Sequence, residues 1–216
     1  MAVVNNKAVR SLPVLVLVAT AVILLLHYQQ VARLKEKVFE SRVLETQQQA
    51  RTQLKRLFDP VIINLSIMGR WVGAESPDLS EVAALNSRFV PVLEEVTQIS
   101  SALVADTAGR EYMLMRAGEG WLTRLTDVQR WDERSHWSRW TRPGQAVEDW
   151  QENLDYDPRK RPWFRGAIDS VTQDAVFWTT PYKFFTSKAL GITAATRWPL
   201  PAREGQFIVV AFDVLL

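Results

Sequence analysis

Nine consecutive residues, YDPRKRPWF at 156–164, hold most of the chemistry that this chain offers. An arginine fork binds a carboxylate through two charge-assisted hydrogen bonds. An aromatic face beside it adds an apolar wall and a cation–π contact. The spacing of Tyr156, Arg161 and Trp163 therefore predicts a pocket for a small anion. Tyr182, on a later strand, would close this pocket. The alternative is that Arg161 pairs with an internal acid and the aromatic residues fill the core.

No set of residues in the sequence is typical of catalysis. The chain has no cysteine, which excludes disulfides, thiolate metal sites and cysteine nucleophiles. Its two histidines, His27 and His136, are far apart, and nucleotide-binding and hydrolase motifs are absent. Asp155 and Asp157 flank a tyrosine, but aspartates beside a proline are far more often turn formers. We therefore predict no enzyme, no metal and no cofactor.

Charge gives no indication of a nucleic-acid partner. Lys and Arg number 26 against 24 for Asp and Glu, so the chain carries no large basic field. Apolar residues make up 47% of the sequence and charged residues 23%, which is normal for a folded domain.

An apolar segment at residues 12–28 is long enough to cross a bilayer, which takes about 17–25 residues. No small-x-small cleavage site follows it, so we predict an uncleaved anchor rather than a signal peptide. Residues 1–11 then form a cytoplasmic tail. Lys7 and Arg10 precede the span and four basic residues follow it soon after. That count alone places the downstream chain in the cytoplasm.

A long helix is predicted over residues 29–72, because the segment up to Asp59 contains no Gly or Pro and is rich in good helix formers. Six apolar residues then step by three or four: Leu54, Phe58, Val61, Leu65, Met68 and Val72. This stripe either packs on the protein's own domain or forms the seam of a parallel homodimer. Asp59-Pro60 indicates either a kink or the start of a new helix.

Short strands begin near residue 99. Alternating apolar residues between turns predict a meander over 99–125, a strand at 145–150 and three strands within 175–216. The segments DERSHWSRW (132–140) and RPWFRGAIDS (161–170) predict short helices. A long helix followed by an antiparallel sheet with intervening helices is an α+β fold.

Residues 156–216 resemble the Cache family, the extracytoplasmic sensor domains of bacterial chemoreceptors, histidine kinases and cyclases. The shared pattern is a D-P-R-x-R-P-W-aromatic segment, a P-Y strand, a T-S turn and a strand that ends in aromatic-Asp. The resemblance implies a PAS-like antiparallel sheet behind the long helix, with residues 73–216 as a membrane-distal sensor module. It also implies a single-pass protein of the bacterial inner membrane with residues 29–216 in the periplasm, against the basic-residue count.

The resemblance further implies which residues contact a ligand. They are Tyr156, Arg161, Trp163, Tyr182 and Asp213, to which we add the neighbours Phe164 and Lys183. Phe164 stands where amino-acid-binding members usually have Tyr, and Phe184 where they carry an acid. An ammonium group would have Asp213 alone, and a buried unpaired ammonium is costly. We therefore expect a small carboxylate or another anion, held by Arg161 and Lys183, rather than a free amino acid.

Together these features predict a membrane-anchored module that senses a small molecule and dimerises through the long helix. A kinase, cyclase or chemotaxis output domain would lie beyond residue 216. Two alternatives stay open. One is a ligand-free Cache-like module for dimerisation or protein contact, and the other is a secreted binding protein whose N-terminal segment is cleaved.

Overall fold

Helices lead the chain and strands follow, as the change in apolar spacing predicts. The computed structural model describes residues 6–142, 145–170, 172, 175–200 and 205–216, without the side chains of 6–16, 18, 19, 21, 26, 31–44 and 142. The helices are α1 (Asn6–Glu75), α2 (Val82–Glu95), α3 (Val128–Trp131) and α4 (Pro162–Asp169). The strands are β1 (Ile99–Asp106), β2 (Arg110–Ala117), β3 (Gly120–Asp127), β4 (Arg134–Arg142), β5 (Gln145–Asn153), β6 (Phe177–Trp178), β7 (Tyr182–Lys183), β8 (Leu190–Pro199) and β9 (Phe207–Leu215).

Helix α1 continues through Asp59 and Pro60, so this pair does not begin a new helix. The chain divides into two compact units, residues 1–55 and 56–216. In the second unit the apolar stripe of α1 is buried at Val61, Leu65, Met68 and Val72. From Val61 onward, the interpretation that the stripe packs on the protein's own domain is confirmed.

The predicted anchor at 12–28 and tail at 1–11 fall largely on residues that lie outside the description or whose side chains do. Among the helical residues with described side chains, we find no stretch both long and apolar enough to cross a membrane.

Helix α2, which the sequence analysis did not predict, packs on the same side of the sheet as α1. Ser76, at φ 45°, and Pro77 separate the two helices, because Pro77 cannot continue α1. Apolar residues of α2 recur at intervals of four and are fully buried: Leu85, Phe89 and Leu93. This is the apolar face expected of a helix that covers a sheet.

In the described part of the chain, nine strands form one sheet in the order β5-β4-β3-β2-β1-β9-β8-β6, with β7 paired to β8. Every pair of strands is antiparallel. The C-terminal strand β9 lies between β1 and β8. Contacts between residues far apart in sequence therefore hold the two parts of the sheet together. The α+β fold with a long helix and an antiparallel sheet is confirmed.

The segment 132–140 is mostly strand β4, and the prediction of a short helix there was wrong. Ser135 and Trp137 are buried on one face of the sheet. Trp137 stacks on Trp150 of β5, with ring centroids 5.8 Å apart. Pairing with β3 on one side and β5 on the other outweighs the local preference of a charged segment for helix.

The two faces of the sheet bury two separate clusters. The helix-side face packs on α1 and α2 through Ala102, Val104, Tyr112, Leu114, Val210 and Phe212. The cavity-side face packs on α4 through Leu103, Ala105, Met113, Trp137, Val209 and Ala211. The alternation of side chains along each strand produces this division.

Candidate ligand-binding site

The cavity-side face of β1, β2, β3 and β9 forms the floor of a cavity of about 260 Å³. Antiparallel register places Asp213 opposite Ser101 and Ser101 opposite Met115. The next row of the same face runs from Leu103 through Met113 to Arg124. All of these residues line the cavity, so a strip of polar groups and a strip of apolar groups lie side by side on its floor.

One wall of the cavity comes from the segment 156–164. Asp157 accepts the backbone N–H of Arg159 and pairs with its guanidinium at 2.8 Å, so Asp157 acts as a turn residue. A 3₁₀ turn over Pro158–Lys160 follows, and α4 begins at Pro162, whose missing N–H is tolerated at the first helical position. Arg161 lies between these two elements in extended backbone and lines the cavity. The rigid turn thus positions the arginine.

The loop between β7 and β8 forms another side of the cavity. Phe184 donates its backbone N–H to the carbonyl of Ala189 at 2.9 Å, which closes the loop. Phe185 packs on the Tyr156 ring, with centroids 4.7 Å apart. Both phenylalanines line the cavity, so this side presents aromatic surface where the sequence comparison with amino-acid-binding Cache members expects an acid.

Arg161 provides a cation with free donors. Its Cζ lies 5.9 Å from the ring centroids of Tyr156 and Tyr182 and 5.6 Å from that of Phe185. In the described part of the chain no carboxylate lies within ion-pair distance of its guanidinium. The alternative in which Arg161 pairs with an internal acid therefore finds no support there. A guanidinium walled by aromatic rings is suited to a ligand carboxylate.

Asp213 is a buried carboxylate held by hydroxyl groups. Ser101 donates to its Oδ2 and Thr193 to its Oδ1, each at 2.6 Å. Since the single hydroxyl hydrogen of Thr193 goes to Asp213, Tyr182 donates to Thr193 at 2.7 Å. Burial raises the pKa of Asp213 to about 6, despite the opposing effect of the two hydroxyl donors. The carboxylate retains lone pairs for a further donor.

A buried ion pair adjoins the cavity. Arg124 Nη2 donates to Glu111 Oε2 at 2.7 Å, and the two side chains are 1% and 0% exposed. Tyr156 donates its hydroxyl to the other oxygen of Glu111, and its ring lies 3.9 Å from Arg124 Cζ. Burial, with the nearby Glu111 carboxylate, raises the pKa of Tyr156 well above 10, so the hydroxyl stays protonated. Arg124 also donates to Thr186 of the β7–β8 loop at 2.8 Å.

Comparison with solved structures identifies the fold. The chain is similar to the extracellular domain of the putative histidine kinase soHK1S-Z6, with 14% identity and a TM-score of 0.51 over 76% of this chain and 56% of that one. The chain has a Cache-type fold. The sequence matches no protein-family model and no curated protein.

Two chemoreceptor domains are also similar to this chain. One is the ligand-binding domain of CtaA from Pseudomonas fluorescens in complex with L-isoleucine, at 16% identity and a TM-score of 0.45 over 76% of this chain and 51% of that one. The other is that of PctB from Pseudomonas aeruginosa PAO1 in complex with L-Gln, at 17% identity and a TM-score of 0.47 over 76% and 50%. The chain spans about half the length of these three structures.

Within the Cache-type fold, the residues predicted to contact a ligand divide into two groups. Five of them line the same cavity: Tyr156, Arg161, Trp163, Tyr182 and Asp213. Phe164 is 4% exposed and belongs to the cluster beneath α4. Lys183 is exposed and is not among the lining residues, because β7 alternates and turns Tyr182 and Phe184 toward the cavity. We expected Lys183 to hold the anion together with Arg161, but Lys183 does not line the cavity.

Sequence reasoning missed Glu111, Arg124, Ser101 and Thr193. Neither Glu111 nor Arg124 stands between apolar neighbours, because Arg110 precedes the first and Thr123 the second. Their partnership depends on strand register and gave no local signal. No cluster of three His, Asp or Glu side chains suited to a metal ion occurs among the described residues.

Proposed function

We propose that this chain carries the ligand-sensing, extracytoplasmic module of a bacterial transmembrane receptor. A histidine kinase, nucleotide cyclase or chemotaxis signalling domain would supply the output. The observation that carries the proposal is Arg161, a cation without a described ion-pair partner on the wall of a cavity of about 260 Å³. This volume is close to the lower end of small-molecule sites, about 300–1,000 Å³. A non-catalytic role agrees with the absence of a catalytic motif in the sequence.

The ligand that we propose is a small carboxylate. The hydroxyls of Tyr156, Tyr182, Ser101 and Thr193 already donate within the protein. The guanidinium of Arg161 is therefore the main free donor at the cavity. Arg161 would hold the carboxylate through two parallel hydrogen bonds.

A second candidate is an α-amino acid, which adds an ammonium group to the carboxylate. The observation that favours it is Asp213, which lines the same cavity and has no cation within ion-pair distance in the described part of the chain. The two candidates differ only in whether the ligand carries an ammonium group that pairs with Asp213, so one experiment separates them.

The experiment is a thermal melt of the purified 216-residue chain in detergent, followed by the fluorescence of its nine tryptophans. Organic acids, amino acids and amines are compared at fixed pH and salt. A ligand at about 100 times its Kd stabilises the folded state by about 2.7 kcal/mol. We expect organic acids to give the largest shifts. Larger shifts with amino acids, lost in Asp213→Asn, would favour the second candidate, and no shift with any anion would refute a carboxylate sensor.

We propose that residues 12–28 anchor the chain in the inner membrane, with 29–216 in the periplasm. Apolar side chains of this segment are exposed, among them Leu17, Ile23 and Leu24 at 64–70%, and a lipid environment would cover them. The chain expressed in bacteria should sediment with membranes and resist carbonate extraction. A soluble periplasmic product that begins after residue 28 would instead indicate the secreted binding protein.

We also propose a homodimer through α1. Its inner stripe is used within the domain, but Ile63 and Ile67 are 57% and 54% exposed on the outer side, one helical turn apart. A second copy of the helix is the simplest partner for such a stripe. Light scattering of the chain should give a dimer mass that Ile63→Lys reduces to a monomer. A dimer that no anion stabilises would favour the ligand-free contact module.

A further inference from the structure

Resting on the proposed sensor function, we propose that the ligand joins a single carboxylate to an apolar body, and that the body lies over Leu103, Met113 and Met115. A ligand with a second charged end is excluded by the same surface.

Strand register separates the polar and apolar parts of the floor. Asp213 lies on β9, Ser101 beside it on β1 and Met115 one strand further on β2. Neighbouring strands are about 4.8 Å apart, so Met115 lies roughly 10 Å from Asp213 across the sheet. A ligand that reaches from Arg161 on the wall across this floor therefore lies over the β1 and β2 side chains if it is more than a few atoms long.

Of the other two cations among the lining residues, Arg124 is paired and Arg116 lies on the opposite face of the sheet. Arg124 is paired with Glu111 at 2.7 Å and donates to Thr186. Arg116 is exposed and lies over the Trp121 ring at 5.1 Å, on the helix-side face. A second ligand carboxylate over the apolar strip would meet neither. Taking a charge out of water without a partner is costly, so the cavity selects against dicarboxylates.

A ligand with a distal cation meets the same obstacle. Asp213 lies at the polar end of the floor, and Glu111 is not among the residues that line the cavity. The strip formed by Leu103, Met113 and Met115 therefore offers no acceptor for an ammonium group. Methionine side chains are flexible and polarisable, and they adapt to apolar groups of different shapes. The strip is suited to linear or branched alkyl groups.

The test compares two matched ligand pairs by calorimetry on the intact chain in detergent. The first pair is pentanoate and glutarate, which have the same number of carbons but one or two carboxylates. The second pair is L-leucine and L-glutamate, which carries the comparison to amino acids. We expect the apolar member to bind at least about tenfold more tightly in whichever pair binds, because its partner buries an unpaired charge.

The variant Met115→Arg adds a cation to the strip. Met115 is only half-buried, so the long arginine stem can be accommodated. We expect the preference for pentanoate over glutarate, or for leucine over glutamate, to fall by about tenfold or more in this variant. Val147→Arg is the matched control, since it adds the same charge on an exposed position of β5 outside the cavity. Circular dichroism and the melting temperature establish that both variants fold.

The outcomes separate this inference from the proposed function. If carboxylates bind but glutarate or glutamate equals its apolar partner, the apolar strip is refuted and the carboxylate sensor stands. An unchanged preference in Met115→Arg would likewise place the ligand body elsewhere. If none of the four compounds binds, both proposals fail.

Discussion

The two faces of the sheet use the same strands for different purposes. On the helix-side face, α1 and α2 cover aliphatic and aromatic side chains, and Phe89 contacts both Tyr112 and Phe212. The polar group Asn86 accepts hydrogen bonds there from Tyr112 and Thr123. On the cavity-side face, the buried groups include Glu111 and Arg124, two full charges, beside an open volume.

This difference indicates how stability and binding are divided in the molecule. Apolar burial contributes about 25 cal/mol per Å² to folding, and the helix-side face provides a large share of it. The cavity-side face keeps Arg161 without a described ion-pair partner and Asp213 without a described counter-cation, which costs stability but leaves both groups available. We therefore expect substitutions on the helix-side face to change stability alone, and substitutions on the cavity-side face to change stability, affinity or both.

The largest effect is expected where the cavity-side face carries its buried charges. Glu111→Gln removes the partner of Arg124 and leaves an uncompensated guanidinium that is 1% exposed. Breaking a buried ion pair from one side costs about 3–5 kcal/mol, so we predict a loss of that size in the free energy of unfolding. Chemical denaturation of both proteins measures it.

The exposed pair between Arg139 and Glu148 provides the control. Its atoms are 3.2 Å apart and its side chains are 51% and 59% exposed. Surface pairs contribute about 0–1 kcal/mol, so Arg139→Gln should change stability little. Equal losses in the two variants would show that the Glu111–Arg124 pair is not energetically distinct from a surface contact.

A slightly smaller effect is expected on the helix-side face. Leu65→Ala truncates a fully buried side chain of α1, and such truncations cost about 2–5 kcal/mol. Because Leu65 lies on the opposite side of the sheet from the cavity, we predict an unchanged Kd for the best-stabilising acid. Calorimetry on the folded variant tests this, and a large loss of affinity would show that the two faces are coupled.

How far the sequence predicted this division depends on the range of the contacts. The stripe of α1 and the turn at Asp157 are local patterns, and the sequence predicted both. Five residues named from the family resemblance line one cavity, because that resemblance carries information that local spacing does not, and their contact with a ligand stays a prediction. Lys183 shows the limit of that approach: it is adjacent to Tyr182, but strand alternation turns it away from the cavity.

The missed features depend on register between distant strands. Ser101 and Asp213 are separated by 112 positions, and only the insertion of β9 beside β1 brings them together. The strand β4 was missed for a related reason. Strand β4 is stabilised by pairing with β3 and β5 and by the stacking of Trp137 on Trp150. None of these partners lies within the segment 132–140 itself.

A third prediction concerns affinity alone. Arg161→Lys keeps the charge but loses the planar fork, so a ligand carboxylate should bind roughly ten- to a hundredfold more weakly, about the value of one charge-assisted hydrogen bond. Stability should change little, since Arg161 has no described ion-pair partner to lose. Lys160→Gln is the control, because it removes an adjacent exposed charge that does not line the cavity. Unchanged affinity in a folded Arg161→Lys would remove Arg161 from the site.

The smallest expected effect is a pH dependence of stability that arises on the cavity-side face. Asp213 has a pKa of about 6 in the folded protein, raised chiefly by burial from 3.8. The folded state therefore holds this proton more tightly than the unfolded state, and the stability that Asp213 contributes is lost as pH rises through 6. Between pH 7.5 and pH 5 we predict that acidification adds about 1 kcal/mol through this group. Denaturation at both pH values measures it.

Asp213→Asn isolates that contribution, because the amide does not titrate and keeps a hydrogen-bonding oxygen for one hydroxyl. The variant should lack the gain on acidification, while Leu65→Ala should retain it. Tyr112 on the helix-side face has a pKa that burial raises well above 10, so it stays neutral throughout this range. A bound ammonium would stabilise the charged form of Asp213 and lower its pKa. The gain should therefore shrink with an amino acid and persist with an organic acid; an equal gain in Asp213→Asn would assign the pH dependence to another group.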